Sequence, residues 1–427
     1  MQRGLFQLEQ HETSVKQELT AGLIGFLTIV YIIAVNSLIL SKAGIPLEGA
    51  LLATILTSFT GCLLMGFWAN APILVVPGMG INAMFTYTLV QSMGLSWQEA
   101  LGVVVISGLI FVFISFTSLT TIISHAIPET LKEAISIGIG LFLMLIGLEN
   151  GHLVERGSTS LIALGDFSDP HVLATILTLI IALILFIFNI KGNFLWTILI
   201  GTAIAYMLGI MPSSTHTSFS LQGYRKVVGA FSLKHWTSFS FLIAVFSVTM
   251  VVVFENIGLI SGHMAFSNGT QKFKKAFQAN GISVMLSGIL GSSPTVSTVE
   301  STAAIAAGGR TGLTAITAGF LFLGTTFLIP YINVIPSNAI APVLIIIGGL
   351  MVQNIKNLDF RDSTESFPAI FIIIMIPFTF SIANGIAIGF ILYTILNLTT
   401  GKARNVSPTL YIIAVLFLLN FIFQFTS

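Results

Sequence analysis

Long apolar runs separated by short polar stretches dominate the pattern of this chain. A helix needs roughly 20 mostly apolar residues to cross a bilayer, and fewer where protein surrounds it. The pattern therefore predicts about fourteen membrane segments, numbered here in chain order: 20–41, 47–67, 72–91, 98–121, 131–148, 172–189, 194–211, 238–262, 276–291, 294–308, 310–330, 338–352, 367–383 and 384–399. A further apolar stretch, 408–425, follows the basic loop GKARN, and the pattern leaves open whether it spans the bilayer or lies along the interface.

The composition agrees with this pattern. Of 427 residues, 55% are hydrophobic and 8% are charged, whereas soluble domains carry about 25% charged residues. The net charge of +1 gives no reason to expect nucleic acid as a partner, and the single cysteine, Cys62, excludes a disulfide framework and a cysteine metal cluster. The polar first twenty residues lack the apolar core of a signal peptide. We expect an all-α polytopic protein of the inner or plasma membrane, with the lipid bilayer as a partner.

The loop charges predict the orientation. If the N-terminus is inside, the outer loops receive Lys42, Arg156, Arg225, Lys226 and Lys234, and the inner loops receive the other twelve of the 17 lysines and arginines. Because cytoplasmic loops carry an excess of Lys and Arg, this bias predicts a cytoplasmic N-terminus.

Two stretches in the two halves of the chain share a pattern. GFWANAPILVVPGMGINAM, which begins at Gly66, matches GILGSSPTVSTVESTAAIA, which begins at Gly288, when one is shifted by 222 residues; the shift also superposes Pro72 on Pro294. Proline and glycine interrupt both stretches, and serine and threonine also interrupt the second, so we predict short broken or extended backbone in segments 3 and 10. Paired interrupted segments point to the midplane site of a transporter. With seven segments in each half, the second repeat must be inverted relative to the first.

Acidic residues inside the spans are the strongest functional signal. All four aspartates fall in predicted loops, and of the twelve glutamates only Glu255 and Glu300 lie well inside spans. A carboxylate near the bilayer centre costs several kcal/mol, so its default interpretation is a functional site. Glu255 would accept hydrogen bonds from a ligand N–H; the alternative is a protonated acid bonded to a neighbouring helix. Either acid could carry a coupling proton.

Glu300 follows Pro294 by six residues and lies among hydroxyl side chains. If a half-helix begins near Val299, its N-terminal dipole would favour an anionic carboxylate or ligand there. The alternative is a glutamate that caps its own helix. The 222-residue shift brings Gly78 opposite Glu300, which favours the site.

Asn82 follows the glycine-rich break at Gly80. Its amide and the free backbone could meet a ring edge, or the amide could satisfy the broken backbone itself. Asn36 and Asn256 are more typical of helix–helix contacts. Aromatic and methionine side chains near the breaks could stack on a planar ligand, although with 35 phenylalanines a packing role dominates: Phe26, Tyr31, Met79, Phe85 and Phe254.

Other motifs give weaker signals. GGRTG (308–312) lacks the spacing of a phosphate-binding loop and predicts a tight inner turn, with Arg310 as an anchor. His263 lies near a helix end and is predicted to be a surface residue. The sequence has no HExxH motif and no paired aspartates inside spans, so neither a zinc protease nor an intramembrane aspartyl protease is supported. We therefore expect no catalytic residues, no bound metal and no enzyme activity.

Three stretches resemble signature regions of a known family: PGMGINAMFTYT, VFENIGL and VESTAAIAAGGRTGLTAITAGFLFL. They are similar to regions of the AzgA-like purine permeases, a branch of the nucleobase–cation symporter-2 family, also called the nucleobase/ascorbate transporters. The resemblance covers nearly the whole chain. It implies seven plus seven inverted helices in a core and a gate domain, and import of nucleobases with protons by an elevator-like movement of core against gate.

Carried over by position, the family's polar residue of segment 3 falls on Asn82, and its acids of segments 8 and 10 fall on Glu255 and Glu300. The wider set of candidate substrate-binding residues surrounds these three: Met79, Gly80, Ile81, Phe254, Thr298, Val299, Ser301 and Asn36. The implied coupling ion is a proton, carried by Glu255 or Glu300, and no other cofactor is expected. Gate helices of such folds often pair, so a homodimer through the gate domain is an open expectation.

The implied domain division runs as follows: 1–19, cytoplasmic N-terminal segment; 20–121, first half of the core (segments 1–4); 122–237, first half of the gate (segments 5–7); 238–330, second half of the core (segments 8–11); 331–400, second half of the gate (segments 12–14); 401–427, basic loop and C-terminal apolar segment.

The chain departs from the family pattern at two places. AzgA-like permeases show Asp-Thr in segment 8, where this chain has Glu255 and Asn256, and the family's Ala-Asp-Ala of segment 9 is replaced by QAN (278–280). Glutamate in segment 8 is more similar to the Glu-His-Ile-Gly-His motif of the uracil and xanthine branch, whose second histidine would fall on Leu259. A purine (guanine, hypoxanthine or adenine) is the predicted substrate, and uracil or xanthine is the alternative. An anion carrier of the same fold is less favoured, because two buried acids would repel its substrate.

Overall fold

The protein is almost entirely helical. The computed structural model describes residues 6–117, 119–120, 127–155, 157, 162–210, 221–332 and 334–426. The helices are α1 (Val15–Ile29), α2 (Ile32–Lys42), α3 (Leu47–Leu64), α4 (Met79–Ala83), α5 (Trp97–Phe116), α6 (Glu129–Asn150), α7 (Pro170–Ile187), α8 (Asn193–Met207), α9 (Leu221–Arg225), α10 (Phe239–Phe266), α11 (Phe273–Leu290), α12 (Ser301–Ala306), α13 (Gly312–Gly324), α14 (Ile329–Ile332), α15 (Ser337–Val352), α16 (Ser363–Phe378), α17 (Ile382–Thr399) and α18 (Pro408–Thr426). The strands are β1 (Val75–Pro77), β2 (Val154–Glu155), β3 (Ala163–Leu164) and β4 (Thr295–Ser297). Wider π-helical turns, Met65–Ala69 and Met84–Ser92, extend α3 and α4.

Within the described residues, nine helices are long and apolar enough to cross a membrane, and three shorter apolar helices accompany them. Segments 3 and 10 are outside this group because each divides into a strand and a short helix. The 18-residue helix α11 is also outside it, since its sequence includes Lys274, Lys275, Gln278 and Asn280. The protein is a multi-pass membrane protein, and the count of fourteen segments stays a prediction.

The first segment differs from the prediction of one run over 20–41. Its helix begins earlier, at Val15, with Ser14 accepting a capping hydrogen bond from the Gln17 N–H. A turn at Val30 and Tyr31 then separates α1 from α2. The first turns of α1 are therefore packed in the protein, although they lie within the polar first twenty residues of the sequence.

The interruptions predicted in segments 3 and 10 form one small sheet. β1 pairs antiparallel with β4, with Val75 opposite Ser297, and both strands are fully buried. The pairing continues beyond the strands, because Gly78 N–H donates to the Pro294 carbonyl at 3.1 Å. Extended backbone at this depth is tolerated where protein surrounds it, as it does here.

The helices pack in two groups. One group contains α1, α2, α3, α5, α10, α11 and α13 around the central sheet; the other contains α6, α7, α8, α15, α16 and α17. Fewer contacts join the groups, and they include α1 against α8 and α4 against α6. The C-terminal stretch forms helix α18, which packs on α17. The short α4 therefore lies where the two groups meet, and α12 faces the loop between α7 and α8 across a cavity.

Candidate functional site

Three elements converge at the centre of the molecule: the β1–α4 connection, the β4–α12 connection and the middle of α10. Asn256 of α10 accepts a hydrogen bond from Ser297 N–H at 2.9 Å, and the Asn280 amide donates to the same oxygen. Further along α10, the buried ring of His263 bonds through Nδ1 to Ser297 Oγ at 2.9 Å. Side chains of α10 therefore fix β4 in place, and Asn256 makes contacts between elements, as its sequence context predicted.

Glu300 lies at the N-cap position of α12, but its side chain makes no capping hydrogen bond to that helix. The capping alternative is therefore wrong. Instead, the Tyr31 hydroxyl donates to Glu300 Oε1 at 2.6 Å. The carboxylate is half-buried, and its neighbour Val299 is 61% exposed. Glu300 is thus held by the protein on one side and lies beside open space on the other.

Glu255 lies in the middle of α10 and is half-buried. Its Oε2 atom is inaccessible and has no hydrogen-bond partner within the described part of the chain. The ring of Phe254 beside it is half-buried, and Lys132 Nζ of α6 lies 5.9 Å from the ring centroid. A buried carboxylate oxygen without a partner is costly, so it marks a place where a donor is expected to bind.

Asn82 is fully buried on α4, the helix that contacts α10. Its Nδ2 lies 3.7 Å from Met79 Sδ, and its Oδ1 has no partner among the described residues. Ile81 is also fully buried, and Met79 is half-buried. Gly80 allows α4 to lie against α6, because a Cβ there would come 2.6 Å from Ile139 Cγ2.

The remaining candidates divide into two kinds. Thr298 Oγ1 is buried beside Glu300 without a hydrogen bond of ordinary geometry in the described structure. Ser301 Oγ instead accepts from Leu74 N–H at 3.0 Å, which ties α12 to β1. The Asn36 amide donates to Thr54 Oγ1 and Ser292 Oγ, and its carbonyl oxygen accepts from Ser293 Oγ. The polar atoms of Ser301 and Asn36 therefore already have partners within the protein.

A cavity lies between α12, which follows Glu300, and the loop that joins α7 to α8. Its volume is about 400 Å³, and α1, α12 and this loop enclose it. The lining includes Thr28, one helical turn before Tyr31, and Ala303, one turn after Glu300. On α10, Gly258 and Gly262 lie one and two turns beyond Glu255 with no other atoms near them. The cavity lies on the side that the loop charges predict to be cytoplasmic, because Lys191 is part of its lining.

The family model described as a permease family, Xan_ur_permease, matches residues 16–388. The chain belongs to this permease family.

Curated relatives support the same grouping. The nucleobase transporter PlAzg2 of Paenibacillus larvae subsp. larvae is 50% identical over 383 residues, which cover 89% of this chain and 77% of that protein. The guanine/hypoxanthine permease PbuO of Bacillus subtilis is 34% identical, and the match covers 97% of this chain and 99% of PbuO. The adenine permease AdeP of Escherichia coli is 33% identical, and the match covers 99% of this chain and 96% of AdeP. The resemblance drawn from three sequence stretches is therefore confirmed for the permease.

Solved structures show the fold that the permease shares with distant transporters. The transmembrane domain of a cyanobacterial bicarbonate transporter, BicA, has a TM-score of 0.66 at 15% identity and covers 86% of this chain and 96% of that one. The murine anion transporter Slc26a9, in its inward-facing state, has a TM-score of 0.68 at 11% identity, with 90% and 68% covered.

The sequence pattern did not indicate one further carboxylate of the permease, Glu18, which binds donors of the GGRTG turn. Glu18 of α1 is fully buried, and its two oxygens accept from Arg310 N–H at 2.9 Å, Thr311 N–H at 3.2 Å and Thr314 Oγ1 at 2.5 Å. The tight turn predicted for GGRTG is confirmed, and its backbone donors bind this internal anion. An acid within the polar N-terminal stretch gave no signal of burial.

His263 and Tyr31 were also misjudged. His263 was predicted at the surface, but it is 3% exposed because the last turns of α10 pack on β4. The sequence predicted mainly a packing role for Tyr31, whereas in the structure its hydroxyl donates a hydrogen bond to Glu300. A tyrosine beside a helix break is a signal that could have separated it from the other aromatics. Within the described residues, no cluster of His, Cys, Asp or Glu could hold a metal ion.

Proposed function

We propose that this permease imports a purine nucleobase, guanine/hypoxanthine or adenine, across the cytoplasmic membrane by proton symport. The observation that carries the proposal is Glu255 Oε2, which is buried without a hydrogen-bond partner among the residues that the structure describes. Asn82 Oδ1 is likewise buried without a partner in the described structure, and Thr298 Oγ1 is buried beside Glu300 without a hydrogen bond of ordinary geometry. These two residues lie on the two connections that pack against α10. A purine edge presents N–H donors and ring acceptors, so one base could satisfy these atoms together. The names of the relatives support this substrate class.

The two acids support the proposal of proton coupling, because no lysine or arginine falls in the interior of a predicted span. Protonation of Glu255 or Glu300 would remove a charge that is costly to move through the membrane. Binding of the base would then satisfy the remaining acceptors, and the loaded site could move. One proton moving down 100 mV carries about 2.3 kcal/mol, enough for roughly 50-fold accumulation of a neutral base.

We further propose a seven-plus-seven inverted repeat with elevator-type alternating access. The 222-residue shift makes Val75 and Ser297 equivalent, and these two residues lie opposite each other in the central sheet. Antiparallel pairing of equivalent residues is what a local two-fold axis between repeats would produce. In this proposal the two groups of packed helices are the core and gate domains, and the fewer contacts between them support movement of one against the other. In this arrangement the N-terminus is cytoplasmic.

Uracil or xanthine is the second candidate, because Glu255 occupies a position where the purine branch has aspartate. An anion carrier is disfavoured, although the solved relatives transport bicarbonate or other anions. Its site would place an anion beside Glu255 and Glu300. The exposed apolar face of α7, which includes Leu173, Leu177, Ile180 and Ile184, is available to lipid or to a second copy in a homodimer.

The test is uptake of radiolabelled guanine, hypoxanthine, adenine, xanthine and uracil into cells that lack their own carriers. We expect accumulation of a purine that collapses with a protonophore. Glu255→Gln and Glu300→Gln should each lower uptake at least tenfold, because each loses a charged acceptor worth about 1.5–3 kcal/mol. Glu12→Gln, at an exposed position of the N-terminal segment, is the matched control and should transport normally.

The other outcomes separate the alternatives. Uptake of uracil or xanthine alone would replace guanine, hypoxanthine and adenine as the proposed substrates. Absence of uptake of every base, with normal protein levels in the membrane, would contradict the nucleobase proposal and return the anion carrier to first place.

A further inference from the structure

Tyr31 lies at the turn that separates α1 from α2, and it is 2% exposed. Its hydroxyl donates to Glu300 Oε1 at 2.6 Å, across 269 positions of the sequence. A packing role alone would be met by phenylalanine, which this chain uses 35 times and which brings no buried hydroxyl. The polar atom of Tyr31 is therefore matched to the carboxylate of the site.

The ring of the same residue contacts the other group of helices. Tyr31 and Phe194 pack edge to face, with ring centroids 5.1 Å apart. Phe194 lies in the first turn of α8 and also stacks on Phe186 of α7, at 6.4 Å. The hydroxyl of Tyr31 therefore contacts the candidate site, and its ring contacts the α7–α8 pair.

The surroundings of this contact are not fully packed. The cavity of about 400 Å³ begins one helical turn away, at Thr28 and Ala303, and reaches the loop at 189–193. Movement of α8 relative to α1 would therefore change the packing of Tyr31 before it disturbed the buried sheet.

We propose that Tyr31 is a positioning residue, which orients the Glu300 carboxylate for the substrate and links that orientation to the position of α8 through Phe194. This inference rests on the proposed function. The hydroxyl holds Oε1, so that Oε2 is presented to the ligand. Because the Tyr31 ring packs on Phe194, movement of the site relative to α8 would change the position of the Tyr31 side chain.

The hydroxyl and the ring can be tested separately. Tyr31→Phe keeps the ring and removes the donor, whereas Phe194→Leu removes the ring contact and keeps the donor. The matched control is Tyr224→Phe, because the Tyr224 hydroxyl is buried without a hydrogen-bond partner in the described structure. Initial rates of uptake of the purine that the wild type transports give KM and Vmax for each variant, with membrane levels and elution in detergent measured alongside.

Tyr31→Phe should raise KM about tenfold with Vmax within about twofold of the wild type, since a hydrogen bond to a charged group is lost from the binding site. Phe194→Leu should lower Vmax about threefold or more and leave KM unchanged, and Tyr224→Phe should match the wild type. A wild-type KM in Tyr31→Phe would overturn the positioning role. So would a fall in Vmax with an unchanged KM, because the hydroxyl would then contribute nothing to substrate binding.

The Phe194→Leu arm does not depend on whether Tyr31→Phe folds, and an unchanged Vmax there would overturn the link to α8. If the wild type itself transports no base, the proposed function fails and this inference fails with it. If the wild type transports while Tyr31→Phe keeps a normal KM, the inference alone fails.

Discussion

At the scale of single residues, the cost of burying polar atoms identifies the site. Glu255 and Glu300 could be selected from the sequence because an acid within an apolar run is expensive wherever it points. Tyr31 and His263 could not, because their importance comes from partners far along the chain, Glu300 and Ser297. Asn256 illustrates the limit: its pattern predicted a contact between elements, but the pattern could not name the strand that it holds.

Asn256→Ala tests how strongly that strand depends on one amide. The change would leave the buried Ser297 N–H and the Asn280 amide without their acceptor, at a cost of about 1–3 kcal/mol for the buried donor. We expect a lower melting temperature in detergent and impaired uptake, because β4 leads directly to Thr298 and Glu300.

Asn397→Ala is the matched control for this change. Asn397 is also buried, but its amide donates to the Tyr393 carbonyl within the same helix. It should leave uptake near the wild-type value. Equal losses of stability and uptake in both variants would contradict a specific role for Asn256.

At the scale of elements, helix-breaking residues predicted where the backbone is extended but not how it is paired. Proline and glycine near Val75 and Ser297 indicated interruptions, yet three-residue strands give too little periodicity to predict a sheet or its register. The start of segment 1 was placed too late for a similar reason. Glu18 reads as a polar N-terminal residue, although its carboxylate accepts the backbone N–H groups that precede α13.

Glu18→Gln tests this interaction between α1 and the GGRTG turn. The amide keeps the shape of the side chain but replaces one acceptor oxygen with a donor group, which would face N–H or hydroxyl donors. We expect the free energy of unfolding to fall by about 1–3 kcal/mol, seen as a lower melting temperature in detergent. Glu12→Gln, at an exposed position, should have no such effect, and a normal melting temperature for Glu18→Gln would contradict the assigned role.

A lysine outside the spans, Lys272, lies next to the GGRTG turn that binds Glu18. Lys272 Nζ donates to the Asn70 carbonyl at 2.6 Å, and burial lowers the pKa of Lys272 to about 8, although the charge of Glu18 opposes this shift. The Asn70 side chain in turn accepts from Gly312 N–H at 2.8 Å. Hydrogen bonds between groups from three separate parts of the chain, Lys272, Asn70 and Gly312, therefore stabilise this end of the α1–α13 contact.

At the scale of the whole molecule, the apolar runs and the composition predicted a multi-pass membrane protein, and family membership agrees. The number of spans is harder to derive, because a rule based on length and apolarity misses half-helices and polar helices such as α11. The missed elements include the two strand–helix connections that hold Asn82 and Glu300, whereas α10, which holds Glu255, satisfies the rule. Polar residues and interrupted helices lower the apolar signal of a segment, so these parts of the candidate site are difficult to recognise as spans.

The most direct measurement of the central claim is proton movement during purine transport by the purified protein. Proteoliposomes that enclose a pH indicator would receive the purine identified by uptake, with the membrane potential clamped and no pH gradient imposed. We predict acidification of the interior that requires the purine and is abolished by Glu255→Gln or Glu300→Gln. Purine entry at a normal rate without any acidification would contradict proton symport and leave a carrier that is not coupled to protons.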